Sequence, residues 1–302
     1  MFTDAEGRIH PIWAFVLSAV LSVVAFLLAG YSAAAFAGDH VLRFEAVFRP
    51  LLSALLLAIF SWLLTAGNHV EERRIAAQGL PFSPGWMKQF AIGCASGVLL
   101  VIVAVIPVAI WGRVSFRTAL NVSSVARIAV VLGVLLSGAL AEELMFRGYP
   151  FQRLVEAIGA TGAIAVFSML FGVVHLSNPG ASVWGLINTV AIGVLLSVGY
   201  LRTRALWMPW GFHFAWNATL GLVLGLPVSG LRLFNVAVHA TAIGPRWLTG
   251  ASYGIEASAP GALAIGVGLV LVWKVPFNRS ENPVPLPTTQ NHVESGVPDV
   301  TN

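Results

Sequence analysis

Glu142, Glu143 and Arg147 stand in "AEELMFRGYP", directly after the apolar run "IAVVLGVLLSGAL". Charges at the end of such a run are costly in a bilayer. Ionisable side chains kept there tend to face the bundle interior and to mark functional sites. Glu143 and Arg147 are four apart with the acid first, the favourable order for an i,i+4 ion pair. Successive helical residues point about 100° apart, so Glu142 is expected to address a different spot from Glu143 and to lack a local partner. Two more polar pairs share the four-residue spacing: Phe171 and His175 in "FGVVHL", and His213 and Asn217 in "GFHFAWN". The other histidines, His10, His40, His69, His239 and His292, fall in loops or tails.

A carboxylate, two histidines and an asparagine on three apolar helices form a usable chemical set. Glutamate can deprotonate water, histidine can orient it, and Asn with His can donate hydrogen bonds to an oxyanion. That is hydrolysis of an amide or ester. The same residues allow a metal reading, in which Glu142, His175 and His213 are the two-histidine, one-carboxylate ligands of a divalent ion such as zinc. The chain contains no HExxH, no GxSxG elbow, no Walker loop and no dinucleotide fingerprint.

The elements that must position these residues are membrane helices. The chain has 302 residues, 57% hydrophobic and 10% charged, where a soluble protein carries about a quarter charged residues. Its mean hydropathy is +0.83. Apolar stretches long enough to cross about 30 Å of hydrocarbon recur at roughly 11–36, 50–66, 90–112, 128–147, 162–177, 183–201, 205–224 and 261–275. In lipid the backbone must satisfy its own hydrogen bonds. The expected fold is therefore all-α, a polytopic bundle of about eight spans around a buried polar cavity.

One membrane domain is expected over 1–275, with its motif core at about 128–220, followed by a polar, Pro-rich and disordered tail over 276–302. The first span reads as a retained helix, because its leader holds Asp4 and Glu6 against Arg8 and its apolar run exceeds that of a cleaved signal. Lys and Arg in the short loops favour, by a narrow margin, cytoplasmic termini in the plasma membrane. The excess of 17 basic over 13 acidic residues gives no sign of nucleic-acid binding. Cys94 is the sole cysteine, so no intramolecular disulfide can form. Asn188 reads as an interhelical hydrogen-bonding residue, and Trp207 and Trp210 as helix-end anchors. Consecutive spans run antiparallel, yet Glu142 and His175 both come late in theirs. A shared site near midplane then requires span four to continue to about 151 and span five to start near 163.

In order and spacing, Glu142-Glu143-xxx-Arg147, Phe171-xxx-His175 and His213-xxx-Asn217 resemble the motifs of the CPBP family of intramembrane proteases. This family includes the prenyl-protein (CAAX) endopeptidases and bacterial proteins linked to bacteriocin processing or self-immunity. The resemblance covers about 128–220. It implies an endopeptidase with a catalytic set of Glu142, Glu143, His175, His213 and Asn217, supported by Arg147 and Phe171. Glu142 would be the general base, assisted by His175. His213 and Asn217 would stabilise the oxyanion, and Arg147 would hold Glu143 and the helix end. The resemblance leaves both a metal-assisted and a metal-free course open; Asn217 suits an oxyanion hole better than a zinc site. The implied partners are membrane lipids and a membrane-associated peptide or protein, lipidated or not. Two other readings compete: a transporter with a Glu/His cavity, and a non-catalytic scaffold or immunity protein of the same fold.

Overall fold

The computed structural model describes residues 9–37, 78–118, 122–232 and 234–274, with four more between 52 and 59. Apart from those four residues the expected span at 50–66 lies outside the described residues, as does the polar tail from 276. The elements, in chain order, begin with α1 (Pro11–Ala37), α2 (Trp86–Trp111), β1 (Arg113–Thr118) and α3 (Val122–Arg147). Next come α4 (Tyr149–Val174), a 3-10 turn (His175–Ser177), α5 (Val183–Thr203), α6 (Trp207–Asn217) and a π turn (Ala218–Val223). The chain continues through β2 (Val238–Ile243), α7 (Arg246–Thr249), a 3-10 turn (Ile255–Ala257) and α8 (Ala259–Lys274).

Four helical stretches among the described residues are long and apolar enough to cross a membrane: Pro11–Ala29, Trp86–Trp111, Ser124–Ser177 and Val183–Thr203. Large side chains such as Leu99, Ile102, Ile106, Met169 and Ile187 point outward along them. In water such a surface would be an anomaly; against acyl chains it is the ordinary outer face of an integral membrane protein.

The stretch Ser124–Ser177 covers 54 residues, more than twice what one crossing needs. It breaks twice. Gly148 separates α3 from α4, and Gly159, at φ 81° and ψ 165°, divides α4 into a short first piece and the piece carrying Phe171 and His175. That backbone region is essentially open to glycine alone. Span four therefore stops at Arg147 rather than running on to 151, and a separate helical piece starting at Tyr149 fills the expected gap.

α2 and α6 pack closely because glycines let their backbones approach, the usual device where lipid supplies no hydrophobic drive. A Cβ at Gly93 would collide with the Met208 carbonyl, and one at Gly211 with that of Phe90. Around this seam, Trp86 lies 4.4 Å from Trp207 and Phe90 5.0 Å from Trp210. The two tryptophans expected as anchors are thus tied down: Trp207 Nε1 donates to Pro81 O at 2.8 Å and Trp210 Nε1 to Leu136 O at 2.9 Å. α4 packs on α5, and α8 on α2 and α5. The one departure from an all-α plan among the described residues is an antiparallel two-stranded sheet, β1 with β2, in register from Arg113↔Ile243 to Thr118↔Val238. It ties the connection after α2 to the segment after α6.

Candidate active site

Three helix ends converge. The last turns of α3 carry Glu142, Glu143 and Arg147; the last turn of α4 carries Phe171 and leads to His175; α6 carries His213 and Asn217 just before it opens into the π turn. Glu143 and Arg147 form the expected ion pair, Nη1 to Oε1 at 3.1 Å, with both side chains fully buried. The guanidinium donates its other terminal nitrogen to Gly193 O on α5 at 3.4 Å and lies 4.4 Å from the Phe171 ring centroid. Breaking such a buried pair from one side strands a charge, which is strongly unfavourable, and the aromatic face adds cation–π attraction.

Glu143 does more than pair with Arg147. The same Oε1 accepts from His213 Nδ1 at 2.9 Å. On the other edge of that imidazole, Nε2 stands 3.7 Å from Glu142 Oε2. Adjacent glutamates were expected to address separate spots; they meet the same ring instead, from its two nitrogens. The reason is that α6 packs against the end of α3 and sets the imidazole between the two neighbouring side chains, one at each nitrogen. Exposure then divides their roles. The Glu143 side chain is 0% accessible and that of Glu142 40%, so only Glu142 can meet water and a substrate. Its Oε2 is turned inward without a hydrogen-bond partner.

Phe171 is the wedge of the site. Its ring centroid is 4.7 Å from that of His175 and 6.1 Å from that of His213, and Phe146 stands edge-on at 5.1 Å. His175 Nδ1 lies 2.6 Å from Phe171 O, its own i−4 carbonyl. A carbonyl only accepts, so Nδ1 carries the hydrogen and Nε2 keeps a lone pair. At His213 likewise, Nδ1 donates its hydrogen to the Glu143 carboxylate, while Nε2 faces Glu142. Asn217, one turn beyond His213, is half-buried, and its amide makes no hydrogen bond with the described residues.

The metal reading requires Glu142, His175 and His213 to converge. Among the described residues no three His, Cys, Asp or Glu side chains form a group that could hold a metal. Glu142 and His213 approach each other, but no third donor completes the set. The residues do not fit the conditional ligand set, and no step is drawn through a metal. Asn188 makes the expected kind of contact between helical elements: from α5 its amide donates to the carbonyls of Glu256, in the 3-10 turn, and of Ser258, at 2.8 and 3.0 Å, holding the segment before α8. That segment reaches α6 through Glu256, which accepts from Trp216 Nε1 at 2.9 Å, and no sequence motif signals it.

Residues 123–219 match the family model described as type II CAAX prenyl endopeptidase Rce1-like. This supports the resemblance read from the motifs. The match takes in Glu142, Glu143, Arg147, Phe171, His175, His213 and Asn217 and ends within the π turn, before the segment holding Tyr253 and Glu256. No curated protein and no solved structure matches the chain.

Proposed function

We propose that the protein is a CAAX-type intramembrane endopeptidase, which hydrolyses a peptide bond of a membrane-associated or lipidated substrate with water activated by Glu142. The observation that carries this reading is the Arg147–Glu143–His213–Glu142 chain, in which only the final carboxylate is open to solvent. A buried ion pair holds a histidine by Nδ1 and presents its Nε2 to an accessible base. The geometry resembles the orienting logic of hydrolytic triads, where a carboxylate behind an imidazole sets tautomer and direction.

Glu142 takes a proton from water as the oxygen attacks the scissile carbonyl. The lone pair on His175 Nε2 accepts a hydrogen bond from the water's other hydrogen, which stays on the attacking oxygen, and so aims the nucleophile. In the tetrahedral intermediate the negative oxygen is met by the Asn217 amide and by His213, which donates from Nε2 when doubly protonated. The C–N bond then breaks, and the proton held between Glu142 and His213 passes to the leaving amine. Glu143, Arg147 and Phe171 touch no reacting atom; they hold His213 and His175 in place.

The prenylated CAAX tail is the substrate class that the matching family's description suggests, and the plasma membrane with cytoplasmic termini is the placement that the loop charges favour. The test compares cells carrying the native chain with cells carrying Glu142→Gln at equal protein levels, by mass spectrometry of membrane and secreted peptide termini. Cleavages lost with uncut precursors accumulating establish proteolysis and identify the substrate. Identical termini in both strains would overturn the reading in favour of a scaffold or a transporter.

A further inference from the structure

Glu256 takes part in none of the steps above, yet it is 4% exposed and fully engaged. Its Oε1 accepts from Trp216 Nε1 at 2.9 Å, and its Oε2 accepts from the backbone N–H of Ser229. Asn188 on α5 holds its main-chain carbonyl. Nearby, Gly230 N donates to Tyr253 O at 2.8 Å, and the Tyr253 hydroxyl lies 3.4 Å from Thr189 Oγ1 on α5. The Glu256 carboxylate therefore joins α6 to the Ser229 turn, while its main-chain carbonyl is held by α5.

The site needs such a fastening because α6 ceases to be α-helical at Asn217. Beyond it the chain widens into the π turn, with Leu224 N bonding Thr219 O and Leu226 N bonding Leu220 O. Departures of this kind recur at functional sites, and here the helix register changes at the residue that must face the oxyanion. Trp216, next to Asn217 and one turn from His213, is stacked on Phe212 with centroids 5.8 Å apart. Its indole N–H is anchored by Glu256. Ser229 is held at φ 45°, a left-handed conformation unfavourable for a residue with a Cβ, and it persists where neighbours over-determine it.

We infer that Glu256 is a positioning residue: it holds Trp216, and with it the α6 face of His213 and Asn217, at the break in the helix, and fastens segment 226–258 over that face. Its consequence for catalysis rests on the peptidase reading; its mechanical part does not.

The test uses the full chain in nanodiscs, as native protein, Glu256→Ala, Glu256→Gln, Trp216→Phe and the Gln/Phe double variant. Hydrogen exchange reads the clamp without substrate. In Glu256→Ala, amides within 213–231 should exchange roughly tenfold faster while the α2 core stays unchanged. Cleavage of a farnesylated CAAX peptide reads the consequence: kcat should fall about 10²-fold at little-changed KM, because a misplaced donor is missed in the transition state. The double variant should be no worse than the poorer single one, the non-additivity of residues acting in one chain. Unaltered exchange over 213–231, a uniform rise that includes α2, or additive effects would each overturn the inference. Native protein that leaves the peptide intact would sink the prenyl-substrate reading alone, and the exchange result then decides the clamp by itself.

Discussion

Glu143 Oε1 stands 2.9 Å from His213 Nδ1 and is the same oxygen that binds Arg147. A carboxylate that looks like half of a structural ion pair is thereby also the orienting partner of a site histidine. Under the proposed mechanism the acidic motif divides into one residue that holds and one that reacts, and the two substitutions should behave differently.

Glu142→Gln should abolish turnover while leaving the fold intact. Its side chain is 40% exposed and makes no hydrogen bond through Oε2, so little packing is lost. Removing a general base should lower kcat by about 10²–10⁴-fold, with a thermal unfolding midpoint in detergent within error of native. A large drop in that midpoint would contradict the division of roles.

Glu143→Ala should be a stability variant first. It leaves the Arg147 cation buried at 0% exposure, with Gly193 O and the Phe171 face as remaining partners. The expected loss is about 3–5 kcal/mol, read as lower yield and a lower unfolding midpoint. Arg147→Lys in the native background should also lower the midpoint, because an ammonium cannot serve Glu143, Gly193 and the ring together.

His213→Asn and His213→Gln separate the two ring nitrogens. An asparagine amide sits where Nδ1 does and keeps the hydrogen bond to Glu143, whereas a glutamine amide falls nearer Nε2 and leaves Glu143 short of a donor. Both should lose cleavage, and only His213→Gln should also lower the unfolding midpoint, by the roughly 1–3 kcal/mol of an unsatisfied buried acceptor.

Gly159→Ala should strain the break in α4. At φ 81° and ψ 165° the backbone is in a region costing a residue with a Cβ about 1–3 kcal/mol, although a Cβ there would meet no other atom within 4 Å. The loss is therefore conformational rather than steric. A midpoint equal to native would show that the break relaxes.

Glu256 should give stability an acid-side dependence. Burial pushes its carboxyl above the ordinary value of 4.5, while hydrogen bonds from Ser229 and Trp216 pull it back. The folded chain thus binds that proton more tightly than the unfolded one. Its stabilisation is complete below the unfolded value and is lost as pH rises through the folded value. Unfolding midpoints measured from acid to neutral pH should show this fall in native protein and a flatter profile in Glu256→Gln.

The i,i+4 spacing of Glu143 with Arg147, Phe171 with His175 and His213 with Asn217 was legible in the sequence because a helix repeats a face every 3.6 residues, and such pairs meet whatever lies around them. The membrane helices were legible for a similar reason: an apolar run has one stable solution in lipid. The sequence by itself therefore determined the class of fold, the motif residues and the chemistry they could support. Three things were decided only by tertiary structure. Both glutamates reach His213 because α6 sits against the end of α3, and no spacing along either helix encodes that approach. The chain turns at Gly148 and Gly159, since a glycine permits a break without requiring one. Glu256 enters the site from a connection with no periodicity, across a separation of 40 residues to Trp216. Local geometry is set by neighbours in the chain; the contacts that hold His213, Asn217 and the segment over them are set by packing between distant elements, which the order of residues does not display.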